Sequence, residues 1–336
     1  MLAALQTNLN EVRVEWLGRQ PPEFGQVHVK MSAAGICGAQ LMELAGTKAS
    51  GPFPHIMGHE GVGCVQSVGH GVSTVKEGDK VVLHWRKGDG IESDFPTYIH
   101  DGQKITSGKV VTWAQEVTVS ENRVTRVDPD APDELCTLLG CGLSTALGTL
   151  EQEANLKIGE SILIIGCGGL GLNLIRAAKI RGASFIVVID KSDEKEELAT
   201  NAGATLFCDP NVLHIYHNTD RFDVIIDTTG DEWCFRTFLP RLAPSGRFIM
   251  VGQPKGKIAF SISTAVHMFE GEGKTIKATQ GGGFRPHLDI PRYVNAWRAG
   301  VINLDGIITH RIALEEINKG IELVKQGNAG RVLISL

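Results

Sequence analysis

The chain has 336 residues and a formal net charge of -5, with its 33 basic residues scattered along the sequence. This length is enough for two domains with ordinary hydrophobic cores. The charge offers no basic surface for nucleic acid or an anionic membrane, so we expect neither as a partner.

The cysteine content and the N-terminal stretch indicate a reducing compartment. No run reaches the roughly 20 apolar residues that a membrane helix needs, and MLAALQTNLNEVRVEW lacks the basic start and apolar core of a signal peptide. Seven cysteines at irregular spacings favour free thiols over a disulfide framework. We therefore expect a cytoplasmic protein in which a special cysteine binds a metal, acts in catalysis or fills the core.

Short alternating or β-branched runs dominate residues 1–142, among them EVRVEWL, QVHVKM, GCVQSV, DKVVLHW and AQEVTVS. They are punctuated by glycine and proline, which is typical of an antiparallel β-rich domain. Residues 143–278 change character, because SILIIG, FIVVID, DVIIDTTG and GRFIMVG alternate with helical patterns. This rhythm predicts an α/β domain with a parallel, doubly wound sheet. Residues 279–336 carry two helical patterns and end on the strand RVLISL.

A glycine motif opens the second domain. It consists of Gly166, Gly168, Gly169, Leu170 and Gly171, directly after a buried strand and at the start of a helix. Glycines in this context permit a tight turn and the close approach of a pyrophosphate to a helix N-terminus. Asp190 ends the next strand, where its carboxylate accepts ribose hydroxyls and repels a 2'-phosphate. The motif predicts NAD as cofactor, and Lys191 and Lys195 keep NADP as the less favoured choice.

Cys37, His59 and Cys141 form a candidate metal site. They come from separated loops, in AAGICG, GHEGVG and GCGLST. Two thiolates and an imidazole are ligands that zinc prefers, and three protein ligands leave a fourth position open. Spacing alone leaves the alternative that these residues fill the core.

The sequence resembles the zinc-dependent medium-chain alcohol dehydrogenases over nearly its whole length. The likeness rests on AAGICG, PHIMGHEGVGCVQSVGHGVSTVKEGDKV, GCGLSTALGTL, ILIIGCGGLGLNLIRAAKIRGA, VVID, VIIDTTG, FIMVG and LEEINKGIELVKQGNAGRVLISL. The resemblance implies a GroES-like catalytic domain in two segments, residues 1–142 and a returning segment at 279–336, around a Rossmann NAD-binding domain at 143–278. It also implies a homodimer or homotetramer.

The resemblance further assigns roles to individual residues. It implies one catalytic Zn²⁺ held by Cys37, His59 and Cys141, with Glu60 beside the metal as a supporting group or an occasional ligand. In the cofactor site it implies that Asp190 and Lys195 contact the ribose, that Val251 lines the nicotinamide side, and that Arg331 lies near the pyrophosphate.

Two residues depart from the family pattern next to the first ligand. Where the family usually has Ser or Thr to take the proton of the alcohol, this chain has Ala39, which carries no hydroxyl. Where an Asp orients the ligand histidine, this chain has Gln40, which we expect to accept that bond through its amide oxygen. The proton must leave by another route, with His84, His55, Tyr98 or water as candidates.

A third departure concerns the lobe at residues 84–114, which contains no cysteine. The family commonly holds a structural zinc there through four cysteines, so we expect one zinc per chain. By the same resemblance Trp85 is expected to line the substrate pocket, and with His84 and Ala39 it completes the set of candidate pocket residues.

The remaining cysteines, Cys64, Cys136, Cys167, Cys208 and Cys234, are predicted to fill the core. His214 and His217 form H-x-x-H without a further ligand nearby, which favours a surface helix or loop.

The sequence therefore predicts hydride transfer between an alcohol or polyol, or the corresponding ketone, and NAD at a zinc site. Two alternatives stay open at this point. One is a zinc-free NAD(P)H-dependent carbonyl or enone reductase with the same two domains, and the other is a non-catalytic cofactor-binding relative.

Overall fold

The computed structural model describes residues 1–47, 51–210, 221–254, 256, 268–327 and 329–336. It divides into two compact units. The first contains Met1–Gly142, Arg285–Leu304 and Ile308–Leu336, and the second contains Leu143–Phe284 and Asp305–Ile307. His214 and His217 lie outside the described residues.

The first unit is rich in β-strands. Its strands are β1 (Leu2–Asn8), β2 (Glu11–Trp16), β3 (Gly18–Arg19), β4 (Gln26–Ile36), β5 (His55–Ile56), β6 (Glu60–Val68), β7 (Lys80–His84), β8 (Thr97–His100), β9 (Gln103–Thr106), β10 (Glu116–Ser120), β11 (Val124–Arg126), β18 (Ile308–Ala313) and β19 (Arg331–Ser335). They form sheets with the orders β2-β1-β5, β3-β8-β9 and β11-β7-β6-β4-β19-β18, and β10 also pairs with β4. All pairs are antiparallel except β18 with β19.

Strand β4 organises the largest of these sheets. It is buried over most of its length because its apolar residues face two cores, one containing Val27, Val29 and Met31 and the other containing Ala34 and Ile36. Its C-terminal end pairs with β6 on one side and β19 on the other. The residues that follow β4 and those that precede β6 therefore meet at one end of the sheet.

Hydrogen bonds to Glu121 hold the lobe that lacks cysteines. Its buried carboxylate accepts the backbone N–H groups of Ser73, Thr74 and Ile91 at distances of 2.7, 2.8 and 2.7 Å. Burial raises the pKa of Glu121, but these N–H groups outweigh it and the net pKa lies below the ordinary value. A single carboxylate thus connects the loop at Ser73 and Thr74 with the lobe at Ile91.

The second unit contains a six-stranded sheet. Its strands are β12 (Ser161–Ile165), β13 (Phe185–Ile189), β14 (Leu206–Cys208), β15 (Phe222–Asp227), β16 (Leu242–Met250) and β17 (Thr275–Ala278). All five pairs are parallel and the order is β14-β13-β12-β15-β16-β17. Counted within this unit the order is 3-2-1-4-5-6, which is the doubly wound arrangement of dinucleotide-binding domains.

The carboxyl ends of four adjacent strands of this sheet are in register. Ile165 pairs with Ile189 and with Asp227, and Asp227 pairs with Met250. The turns that follow these residues therefore emerge at the same edge, where ligands of such sheets bind.

Helices cover both units. They are α1 (Gly38–Leu44), α2 (Asp133–Leu139), α3 (Gly142–Gly148), α4 (Gly169–Ile180), α5 (Glu196–Ala202), α6 (Glu232–Phe238), α7 (Pro286–Arg298) and α8 (Ile317–Gln326). A π-helical turn at Thr149–Glu153 extends α3, and 3-10 turns lie at Glu121–Arg123, Asp193–Lys195, Leu239–Arg241 and Leu314–Glu316. In the part of the chain that the structure describes, no helix is long and apolar enough to cross a membrane.

Candidate active site

Cys37, His59 and Cys141 converge in the first unit. One ligand atom from each lies within 4.8 Å of the others, and His59 Nε2 is 3.3 Å from Cys141 Sγ. All three side chains are partly exposed. Two sulfur atoms and one imidazole nitrogen at this spacing suit a zinc ion with an open fourth position.

The position of each of the three residues follows from its neighbours in the chain. Cys37 is the N-cap residue of α1, immediately after β4. His59 directly precedes β6, which is paired with β4. Cys141 lies between α2 and α3. The end of one sheet and the junction of two helices therefore bring these three residues together.

Neighbouring groups lower the pKa of the Cys37 thiol. Its hydrogen bond with Cys141, followed by the effects of His59 and Arg331, holds the pKa of Cys37 well below its usual value, although burial opposes the shift. A thiolate is the form that binds a metal ion. The electrostatics of the cluster therefore fit a metal ligand better than a core-filling cysteine.

Gln40 connects two of these residues. Its Oε1 accepts the backbone N–H of Cys37 at 3.0 Å, and its Nε2 contacts His59 Nδ1. The sequence predicts that the amide oxygen accepts from the histidine. The structure corrects this prediction, because the N–H of Cys37 already occupies that oxygen and the amide nitrogen faces His59.

Glu60 lies behind the cluster rather than in it. It is fully buried, its Oε1 pairs with Arg331 Nη2, and its Oε2 accepts the N–H of Gly142 at 3.4 Å. The group of three residues that could hold a metal does not include it. The structure therefore gives Glu60 a supporting position, and Arg331, predicted to lie near a pyrophosphate, contacts Glu60.

Two glycines beside the cysteines make room for Glu60. A Cβ at Gly35 would lie 2.4 Å from Glu60 Oε1, and a Cβ at Gly140 would lie 3.0 Å from the Glu60 Cα and 2.4 Å from the Leu83 oxygen. Side chains do not fit at such distances. These glycines therefore allow the segments that carry Cys37 and Cys141 to close around the Glu60 side chain.

Trp113 supports the site and was not singled out from the sequence. It is fully buried, its Nε1 donates to the Gly35 oxygen at 3.0 Å, and its backbone N–H donates to the Met57 oxygen at 3.0 Å. It therefore joins the segments before Cys37 and His59. The apolar run VVTWA signals only a buried residue, so the sequence could not predict this role.

Ala39 provides no hydroxyl, and two of the candidate proton carriers are engaged elsewhere. Tyr98 is buried and donates to the Thr118 oxygen at 3.0 Å, and burial raises its pKa above the ordinary range. His84 is fully buried, with Nδ1 2.7 Å from the Arg86 oxygen and Nε2 2.9 Å from Thr125 Oγ1. The structure thus places His84 and Tyr98 in the core rather than in an open pocket.

His55 differs from these two residues. It is buried, its ring stacks on Phe53 with centroids 5.7 Å apart, and Nε2 is 3.5 Å from Glu43 Oε1. Neither ring nitrogen has a hydrogen-bond partner in the described part of the chain. Glu43 belongs to α1, the helix that also carries Gln40.

The glycine motif of the second unit has the geometry that a dinucleotide needs. Gly166 has a φ of +94°, which favours glycine, and a Cβ at Gly171 would lie 2.0 Å from the Gly166 oxygen. A Cβ at Gly168 would meet no protein atom within 4 Å. The backbone conformation therefore favours glycine at Gly166, and close packing requires it at Gly171. Gly168 instead leaves open space at the N-terminus of α4, where a pyrophosphate binds in such folds.

Asp190 is hydrogen-bonded directly to the glycine turn. Its Oδ2 accepts the N–H of Cys167 at 2.7 Å and lies 2.9 Å from Lys195 Nζ, and its Oδ1 accepts the N–H of Ser192. The structure thus brings Asp190, Lys195 and the glycine turn together, as a ribose site requires. Val251 lies at the same sheet edge, where its N–H donates to the Asp227 oxygen at 2.8 Å.

The other cysteines are largely structural. Cys136, Cys167, Cys208 and Cys234 are buried, which confirms the prediction for these four, whereas Cys64 is partly exposed. Burial raises the pKa of Cys136 and of Cys167 to about 12. Such thiols stay protonated and unreactive.

Comparisons with known proteins match both units. The model of the alcohol dehydrogenase GroES-like domain matches residues 23–129, and that of the zinc-binding dehydrogenases matches residues 169–294. Alcohol dehydrogenase 6 of Peromyscus maniculatus is 32% identical, over 94% of this chain and 92% of its own length. S-(hydroxymethyl)glutathione dehydrogenase of Komagataella pastoris is 31% identical, over 97% of this chain and 94% of its own.

A solved structure supports the fold. The alcohol dehydrogenase zinc-binding domain protein from Burkholderia ambifaria superimposes with a TM-score of 0.91, covering 100% of this chain and 98% of its own, at 24% identity. The chain therefore belongs to the zinc-dependent medium-chain alcohol dehydrogenase family, whose members are NAD(P)-dependent oxidoreductases that act on CH–OH groups.

Proposed function

We propose that this chain oxidises a small alcohol or polyol with NAD, and catalyses the reverse reduction, at one zinc ion held by Cys37, His59 and Cys141. The observation that carries the proposal is the convergence of two thiol groups and an imidazole within 4.8 Å. A zinc ion held by these residues supplies Lewis-acid polarisation of the alcohol oxygen.

The surrounding residues prepare the three ligands. Cys37 has a depressed pKa and is therefore ready to bind as a thiolate. Gln40 contacts the His59 ring and accepts the backbone N–H of Cys37, and Glu60 with Arg331 supports the backbone next to both cysteines. Because these groups are placed before the substrate binds, they cost little reorganisation during the reaction.

The reaction divides the alcohol hydrogens between two acceptors. NAD held at the glycine turn and Asp190 would accept the C–H hydrogen as a hydride, and the hydroxyl proton would pass to solvent, so NAD would gain the two electrons that the alcohol loses. Position 39 carries no hydroxyl, so we propose that this proton is passed to water rather than to a side chain at that position.

We propose that the cofactor is NAD rather than NADP. It is supported by the buried carboxylate of Asp190, which lies against the glycine turn and would repel a 2'-phosphate. One zinc per chain is supported by the lack of cysteine at residues 84–114. An alcohol substrate is supported by the names of the relatives, alcohol dehydrogenase and S-(hydroxymethyl)glutathione dehydrogenase.

The zinc content of purified protein tests the proposal. We expect about one zinc per chain by elemental analysis, because three ligands and an open position make one site. Cys37→Ser should lower the content severalfold, whereas Cys64→Ser, a cysteine outside the cluster, should leave it unchanged. NAD reduction should then be measured with a panel of alcohols and polyols.

The panel also separates the alternatives. If the purified protein contains no zinc and reduces carbonyl compounds or enones with NAD(P)H, the proposal is wrong and the protein is a zinc-free reductase. Tight NADH binding without turnover on any substrate would identify a cofactor-binding relative.

A further inference from the structure

Three polar side chains of β1, α1 and β5 lie together in the first unit. Gln6 of β1 is paired with His55 of β5, and directly opposed residues of an antiparallel pair point to the same face of the sheet. Gln6 Nε2 donates to the Leu44 oxygen of α1 at 3.3 Å. Glu43, the residue before Leu44, has its Oε1 3.5 Å from His55 Nε2. These contacts bring Gln6, Glu43 and His55 into one cluster.

Several polar atoms of this cluster are buried without a hydrogen bond. Gln6 and His55 are 0% and 4% exposed. Within the described residues, Gln6 Oε1 and both ring nitrogens of His55 have no hydrogen-bond partner. The ring of Phe53 stacks on that of His55 and holds it by an apolar contact, which leaves the nitrogens unpaired. Buried polar atoms of this kind cost free energy unless a ligand binds them.

The distance between His55 and Glu43 suits two ligands of one metal ion. A hydrogen bond from nitrogen to oxygen spans about 2.7–3.2 Å, so the 3.5 Å between His55 Nε2 and Glu43 Oε1 is long for one. Zinc binds imidazole nitrogen and carboxylate oxygen at about 2.0–2.2 Å, and tetrahedral angles then separate the two ligand atoms by about 3.3–3.5 Å. The observed separation therefore matches that of two atoms on one ion.

The types of ligand atom in this cluster select the class of ion. Imidazole nitrogen suits zinc and its neighbours in the first transition row, and carboxylate and amide oxygens are also ligands of these ions. The Glu43 carboxylate supplies the negative charge that favours a divalent cation. The cluster contains no sulfur, so it should bind zinc more weakly than the two thiols and imidazole of Cys37, Cys141 and His59. Purified protein should therefore retain one zinc and take up a second when zinc is added.

We propose that Gln6, Glu43 and His55 form a second metal site, which binds Zn²⁺ or a similar first-row divalent cation through Gln6 Oε1, Glu43 Oε1 and His55 Nε2. A bound ion joins α1 to β1 and β5. The first turn of α1 carries Gln40, which contacts His59, so the ion restrains the helix that supports the first metal cluster. The inference does not depend on the proposed function, because the three residues are separate from that cluster.

Isothermal calorimetry with Zn²⁺ tests the inference without requiring turnover. The full-length protein, carrying the zinc that it retains on purification, is titrated with zinc chloride. We expect one further equivalent to bind, and the melting temperature to rise with zinc concentration because the ion binds the folded state. Glu43→Gln and His55→Asn each remove one ligand, so each should weaken the second binding event by about tenfold or more and abolish the rise in melting temperature.

Two controls separate this site from other zinc ligands. His70→Asn replaces an exposed histidine outside the cluster and should leave the second binding event unchanged. Cys37→Ser should lose the first zinc and keep the second. If His55→Asn does not fold, Glu43→Gln still decides the question, because the Glu43 side chain is 24% exposed and its change leaves the packing of His55 in place. Anomalous scattering at the zinc edge from zinc-soaked crystals should show an ion between Glu43 and His55.

Three outcomes would overturn the inference. The first is that the parent protein takes up no further zinc at a large excess of the ion. The second is a further equivalent that binds equally well to Glu43→Gln and His55→Asn, which would place the ion elsewhere. The third is an equal loss in His70→Asn, which would indicate non-specific binding. The proposed function fails separately, if the zinc-loaded protein oxidises no alcohol with NAD, and the calorimetric result still decides the second site in that case.

Discussion

Glu60 and Arg331 lie 271 positions apart in the chain and form an ion pair with side-chain exposures of 0% and 3%. Arg331 begins β19 and Glu60 begins β6, and both strands pair with β4. The pair therefore connects the first and last segments of the first unit directly behind the metal cluster.

Removing one partner of this pair should destabilise the protein strongly. Arg331→Met leaves the Glu60 carboxylate buried and unpaired, and such a change costs about 3–5 kcal/mol. Urea denaturation of the parent, Arg331→Met, Glu60→Gln and the double variant measures the effect. The double variant should lose less than the sum of the single losses, and an additive result would show that the two groups do not interact.

Gln40 should limit the affinity for zinc. A metal bound at His59 Nε2 requires the proton on Nδ1, but Gln40 presents its amide nitrogen there because its oxygen accepts from Cys37 N–H. In Gln40→Glu one carboxylate oxygen serves each donor, so zinc should bind about tenfold tighter or more. Gln40→Leu removes the amide nitrogen from Nδ1 but supplies no acceptor there, so its affinity for zinc should stay close to that of the parent. Competition with a chromogenic chelator measures both, and equal affinities in the three proteins would contradict this role.

Asp190 should control the choice of cofactor. Asp190→Ser removes the carboxylate that accepts ribose hydroxyls and leaves Lys195 without its acidic partner. We expect kcat/KM with NAD to fall about tenfold or more, and the NADP to NAD ratio to rise, since a hydrogen bond to a charged group contributes about 1.5–3 kcal/mol. Glu194→Gln, an exposed acid nearby, is the control. A ratio that is the same in Asp190→Ser and the parent would remove Asp190 from the cofactor site.

His84 should make stability depend on pH. Burial lowers its pKa from 6.5 to about 4, so between these values the unfolded state binds more protons than the folded state. The free energy of unfolding should therefore fall as the pH drops from about 6.5 towards 4, by roughly 3 kcal/mol from this residue.

Urea titrations at several pH values across that window measure the slope. His84→Gln removes the titrating group, so its slope should be shallower than that of the parent even if the variant is less stable at neutral pH. Parallel slopes would show that other groups cause the acid sensitivity.

Local patterns determined the elements and the cofactor motif of this protein. β-branched alternation predicts strands such as β4 and β6, and the glycine turn with Asp190 lies within 25 residues of one strand–helix–strand unit. Backbone conformation and side-chain period act over such short distances, so a sequence reveals them. The resemblance to a family added the three residues of the metal cluster, which spacing alone left open.

Tertiary structure alone decided which partners the polar groups near the cluster take. The amide nitrogen of Gln40 faces His59 because its oxygen accepts the N–H of Cys37. Glu60 forms an ion pair with Arg331 and is not one of the three candidate ligands. His84 is in the core, while Trp85, one residue later, leaves β7 at its exposed end. Such choices depend on competition between donors and acceptors from distant segments, which meet only when the chain has folded.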